Sequence, residues 1–136
     1  MGINQVGTAS AGAALTKQGR VLLKLLVQVM NSSGFKTGAP ETYIGYQECC
    51  DRLGLQNPQN EHWGRFLQRH GLNDLNGWTK VHGFPKITGI IVNQRGDRAF
   101  RPGPDYFKSN GQKDGEWQWW ENEVAQAAKF DWSPYV

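Results

Sequence analysis

The sequence predicts a mainly α-helical domain carrying one small β-hairpin, an α+β arrangement, and three observations predict it. Apolar residues recur at three- and four-residue spacing over much of the chain. Glycine, asparagine and proline stand where such stretches begin or end. Only Lys86 to Val92 is instead rich in β-branched residues, as a strand is.

Taken in order, Met1 to Ala14 is small and polar, with too little apolar surface to offset the entropy of ordering it, and predicts a flexible arm. Residues 15–136 then form one domain, the usual outcome for a chain of this length. Thr16 caps a helix whose Val21, Leu22, Leu25, Leu26, Val29 and Met30 line one broad stripe until Asn31-Ser32-Ser33-Gly34 ends it. Such an apolar helix belongs to the core or to a dimer contact. After the loop through Pro40, Thr42 caps a second helix, with Tyr46, Cys49, Cys50 and Leu53 on one face and Gly54 as its stop.

Asn57-Pro58 reads as the start of a third helix, a capping residue followed by the residue favoured at the first helical position. On it Trp63, Phe66 and Leu67 face one way and His62, Arg65, Gln68 and Arg69 the other, until Gly71 closes it. A fourth helix from Leu72 to His82 carries Leu72, Leu75, Trp78 and Thr79, and Gly83-Phe84-Pro85 breaks it. Lys86 to Val92 then forms a mostly buried strand with Gly89 at a close backbone approach, Asn93 to Asp97 turns, and Arg98 to Phe100 returns as the partner strand. Arg101-Pro-Gly-Pro104 makes a fixed turn toward Asp105-Tyr106-Phe107, and Lys108 to Gly115 is loose. The last helix, about Glu116 to Lys129, places Trp117, Trp120 and Val124 on a common face with Trp119 off it, before Phe130, Trp132 and Tyr135.

Helix, glycine-bearing turn, helix and then a hairpin with arginines at its tip is the layout of a winged helix-turn-helix, here with an added N-terminal helix and a C-terminal aromatic helix. Charge follows that layout. From His62 to Arg101 seven basic residues stand against two acids, a formal +5, whereas from Asp114 onward five acids oppose Lys129 alone, a formal −4. The expectation is a non-enzymatic protein that binds double-stranded DNA, of the kind used as small phage- or plasmid-type regulators or accessory proteins. His62, Arg65, Gln68 and Arg69 would face the groove, Arg95, Arg98 and Arg101 would act from the wing, and Lys80 and Lys86 would add phosphate contacts. A charged helix face is also what a merely solvated helix presents.

The alternative is a protein-interaction or inhibitor module. Six Trp, six Phe and four Tyr are many for so small an interior. Trp117, Trp119, Trp120, Trp132 and Tyr135 would then be the anchors toward a protein partner or a second copy of the chain.

Chemistry has less support. His62, His70 and His82 are not at helical metal-pair spacing and Cys49-Cys50 lacks the gap of a zinc knuckle, so neither metal nor cofactor is expected. There is no phosphate-binding glycine loop ending in Lys-Ser or Lys-Thr and no serine elbow. Asp105 with Glu121 and Glu123 lacks the companion lysine of a metal nuclease. A pocket assembled only on folding is invisible to linear spacing. Adjacent cysteines, no leader-like N-terminus and no run near the ~20 apolar residues of a span suggest a reducing, cytoplasmic setting without membrane contact.

Between Gly38 and Gly103, the order Pro40…Thr42-Tyr43, Leu53-Gly54, Gly64-Arg65-x-Leu67, Phe84-Pro85, Ile90-Ile91-Val92 and Gly96 resembles the winged-helix module of the O6-alkylguanine alkyltransferase and alkyltransferase-like proteins. That family carries a reactive Cys, or its Trp substitute, then His-Arg directly after the proline. Lys86, Ile87 and Thr88 occupy those positions here. The resemblance therefore implies a winged-helix scaffold on DNA without alkyl transfer.

Overall fold

A computed structural model describes residues 14–136, so all of the predicted arm but Ala14 lies outside the described residues. Helix α1, Lys17–Met30, starts where the sequence places it: Thr16 is extended and its hydroxyl accepts the Gly19 amide at 3.0 Å. The same Thr16 donates from its amide and hydroxyl to the Asp74 carboxylate at 2.9 and 2.6 Å, which ties the start of α1 to a helix 58 residues on. Leu22, Leu23, Leu25, Leu26 and Val29 of α1 are buried, and α1 runs through the centre of the core.

Thr42 does not cap the next helix. It lies in a single turn, Pro40–Thr42, and its hydroxyl donates to the Ala39 carbonyl. The chain then extends as β1, Ile44–Gly45, and α2, Tyr46–Arg52, begins three residues later than the cap would put it. The reason is long-range: β1 pairs in parallel with β2, Ile91–Val92, in the register Ile44 to Ile91 and Gly45 to Val92. This pairing also corrects the hairpin. Arg98 to Phe100 is not the strand partner, and Lys86 to Ile90 is not strand, because Ile87–Ile90 coils into a tight turn under the last helix. The segment after β2 is a loop closed on itself, with the Phe100 amide donating to the Asn93 carbonyl at 2.7 Å and the Asn93 amide to Arg101 at 2.9 Å.

Asn57-Pro58 does not start a helix either. The Asn57 side chain both donates to the Glu61 carbonyl and accepts the Glu61 amide at 2.9 Å, closing a loop that delays α3 to Trp63–Leu67. Gly71 ends α3 only as a kink: His70 and Gly71 leave helical geometry, Gly71 at φ 123°, and the chain re-enters a helix as α4, Asn73–His82. Gly83, left-handed, stops α4. The Pro102-Gly103-Pro104 turn leads directly into α5, Pro104–Ser109, a helix the spacing did not predict, with the proline at its first position.

The C-terminal helix α6, Trp117–Lys129, docks on the body. Trp120 and Trp132 are buried and satisfied, donating to the carbonyls of Gly89 and Ala127 at 2.7 and 2.8 Å. Gly89 is required there: a Cβ on it would lie 2.6 Å from the Tyr106 hydroxyl and 3.0 Å from the Trp120 ring. Tail acids serve as acceptors, Glu121 from the Tyr43 hydroxyl and Glu123 from the Lys86 amide. The protein is mainly helical with a small two-stranded parallel sheet, in an order of elements compatible with a winged-helix-like fold.

Candidate nucleic-acid interface

A solvent-open cleft of about 960 Å³ lies between α3, α4 and α5, with the loop after β2 at its edge. Arg65 comes from α3 and Gln68 from its C-cap, Asn73, Asn76 and Lys80 from α4, Arg98 from the loop, and Asp105 and Lys108 from α5. The cleft is basic: among its described lining residues Arg65, Lys80, Arg98 and Lys108 face a single acid, Asp105. That acid accepts a hydrogen bond from Gln68 Nε2 at 2.9 Å. Arg65, Lys80 and Lys108 enter no ion pair among the described residues.

The floor is polar and built. Asn76, only 9% exposed, lines the cleft and its Oδ1 accepts the Thr88 hydroxyl. Tyr46 accepts the Gly103 amide at 3.0 Å and Tyr106 donates to the Lys86 carbonyl at 3.3 Å. Burial raises the pKa of both phenols, so neither adds negative charge near neutral pH and the cations set the potential of the cleft.

The sequence-predicted binding residues divide into two groups. His62, Arg65, Gln68, Lys80 and Arg98 all line this one cleft. Arg69, Lys86, Arg95 and Arg101 do not. Arg69 donates to Glu61 at 2.6 Å, and that hydrogen bond holds the Glu61 carboxyl below its usual range. Lys86 turns its ammonium to the carbonyls of Phe84 and Thr79 at 2.9 and 3.3 Å, behind the last turn of α4, and burial lowers its pKa against the pull of Glu123. Arg95 is exposed on the loop. Arg101 lies over the Trp117 ring at 4.9 Å.

Arg98 reaches the cleft but is largely committed. Its guanidinium donates to the Pro102 carbonyl at 2.8 and 3.2 Å and, in fork geometry, to Asp114 at 2.8 and 3.0 Å, and it lies 5.5 Å from the Trp117 ring centroid. It clamps the loop to the segment before α6.

Lys108, Asn73 and Asn76 are cleft residues that sequence reasoning missed. Asn73, Asn76 and Lys80 stand at i, i+3 and i+7, so their shared face of α4 was readable from spacing. Lys108 had a weaker signal, the proline at the start of α5 three residues after a glycine-proline turn begins.

Of the predicted partner anchors, Trp120 and Trp132 are core residues, because their rings and N–H groups are satisfied inside the chain. Trp117, Trp119 and Tyr135 are half-buried, Trp117 against Phe107, Trp119 against Tyr106 and Phe107, and Tyr135 against Trp78 and Phe84. Cys49 and Cys50 are free and buried, and burial pushes both thiols up, Cys50 to about 11, so neither is a thiolate near neutral pH. No three His, Cys, Asp or Glu side chains converge as a metal site among the described residues, and none of their helices is long and apolar enough to cross a membrane. No protein-family model, curated protein or solved structure matches the chain.

Proposed function

We propose that this protein binds double-stranded DNA, without catalysing a reaction on it, through the cleft between α3, α4 and α5. One observation carries the reading: four cations from four separate segments converge on one concavity that holds a single carboxylate. Converging cations are what a phosphate backbone demands, since each neutralised phosphate releases counterions. The polar floor of Asn73 and Asn76 beside Lys80 then offers donors to groups deeper than the backbone. In this arrangement α4 presents the reading face as much as α3, and Arg65 and Lys80 hold the duplex from two sides.

The protein-interaction reading retains Trp117, Trp119 and Tyr135 at the surface, half-buried against the body. No observation favours it over the basic cleft.

Fluorescence anisotropy with a labelled duplex tests the proposal. Lys80→Glu combined with Lys108→Glu is expected to weaken binding by roughly tenfold or more at low salt. Lys17→Glu combined with Lys24→Glu, both exposed on α1 and outside the cleft lining, is the charge-matched control and keeps most of the affinity. Equal losses in both proteins would show attraction to net charge alone and sink the cleft as the site.

A further inference from the structure

We propose that Phe100 is a stacking wedge, which sets its ring against an unstacked base of bound DNA at the rim of the cleft. The inference rests on the DNA-binding reading above and names the substrate feature that reading leaves open. Phe100 is 40% exposed and is the only aromatic among the exposed large hydrophobic side chains of the described residues. Among the described residues no ring contact involves it, although most of their other aromatic rings are paired. Its backbone is left-handed, at φ 62°. A bulky side chain is a genuine outlier in that region, where glycine sits without penalty.

The unfavourable conformation is nonetheless held firmly. The Phe100 amide donates to the Asn93 carbonyl at 2.7 Å, the Asn93 amide donates to the next residue's carbonyl at 2.9 Å, and the Arg101 amide donates to Arg98 at 3.0 Å. Nothing in the packing asks for a ring, yet the backbone fixes the point from which it projects. Asn93 and Arg98 both line the cleft, so the Phe100 backbone, bonded to Asn93, stands at its rim. In the same loop the Arg98 and Arg101 guanidinium groups lie over Trp117. An exposed apolar ring on a loop that also carries arginines is the equipment of proteins that press a side chain against a base step while arginines hold the phosphates. Strain retained at an exposed position fits a functional constraint better than a structural one. The preferred substrate is then DNA with a weakly stacked base, because fully stacked duplex must first be opened.

The test uses a short duplex carrying one bulged 2-aminopurine and the same duplex fully paired. The wild-type protein is expected to bind the bulged duplex about tenfold more tightly and to change the fluorescence of the analogue. Phe100→Gly should bind both duplexes at the paired-duplex affinity while melting at the same or a higher temperature, since glycine relieves the left-handed strain. Phe100→Trp should restore the preference. A Phe100→Gly protein that keeps both the preference and the fluorescence change overturns the proposal, as does a wild-type protein that binds the two duplexes equally with no fluorescence change; in the latter case DNA binding itself stands. Failure of the wild-type protein to bind either duplex overturns the stacking role together with the DNA-binding reading.

Discussion

Gly71→Ala tests the junction that sets α3 against α4, and with them the two sides of the cleft. At φ 123° an L-residue is strained, by about 1–3 kcal/mol. The added Cβ would also lie 2.9 Å from the Gln18 carbonyl oxygen and 3.2 Å from its carbon, and this is backbone of the first turn of α1, which cannot swing aside as a side chain would. Overpacking of that kind costs about 1–3 kcal/mol. Together the expected loss is roughly 4 kcal/mol, a large share of the ~5–15 kcal/mol that holds a domain of this size. Gly77→Ala is the internal control. Gly77 is inside α4 with nothing within 4 Å of a Cβ, so alanine should stabilise by about 0.5–1 kcal/mol. Urea unfolding followed by circular dichroism reads both: the midpoint falls steeply for Gly71→Ala and rises slightly for Gly77→Ala, each with unchanged slope. A Gly71→Ala protein as stable as wild type would refute the reasoning, for neither the strained dihedral nor the contact with Gln18 could then be as described.

Further outcomes are expected elsewhere in the molecule. Trp120→Phe leaves the Gly89 carbonyl without its donor and should lower stability by about 1–3 kcal/mol, while deletion of residues 116–136 should abolish cooperative unfolding by removing Trp120, Val124, Ala127 and Trp132 from the core; a deletion protein with a native-like transition would mark α6 as peripheral. Cys49 and Cys50 should resist alkylation at pH 8 until the protein unfolds. Because the folded thiol of Cys50 is raised from about 9 to about 11, its contribution to stability is complete below the lower value and is lost as pH climbs through that window, so alkaline unfolding should be easier in wild type than in a Cys50→Ala protein compared at equal neutral stability. Asp114→Asn releases the Arg98 guanidinium toward the cleft and should tighten DNA binding a few-fold, with a steeper salt dependence. The Arg98 hydrogen bond holds the Asp114 carboxyl below its ordinary range, so in wild type this release occurs only on acidification: the pairing is intact above the unfolded pKa and is lost as pH falls through the folded one.

Local signals carried much of the fold. The start of α1 at Thr16 was legible because a cap is settled by three residues, and α1 and α6 because their stripes run for three or more turns. What the sequence misplaced was decided by partners far along the chain. Thr42 has the right chemistry for a cap, but pairing of Ile44-Gly45 with Ile91-Val92 required extended backbone there. Asn57-Pro58 reads as a helix start, yet the Asn57 amide is used to close a loop on Glu61. Lys86 to Ile90 has strand composition, but a tight turn lets Gly89 approach Trp120. The same division runs through the site. Arg65 and Gln68 were found by helix periodicity and Lys80 as a basic residue beside that face, whereas the commitments of Arg69 to Glu61 and of Arg98 to Asp114 depend on folding and could not be read in advance. Lys108 reaches the cleft on α5, a helix of six residues too short to leave a period.

The central claim is that the basic cleft engages a phosphate backbone, and a salt titration of duplex binding addresses it most directly. With Arg65, Lys80 and Lys108 as the contacting cations and Arg98 held by Asp114, the logarithm of the binding constant should fall linearly against the logarithm of salt concentration with a slope of about −3. The slope should flatten by about one for each of Lys80→Ala and Lys108→Ala. An affinity indifferent to salt, or a slope untouched by those two substitutions, would contradict the account.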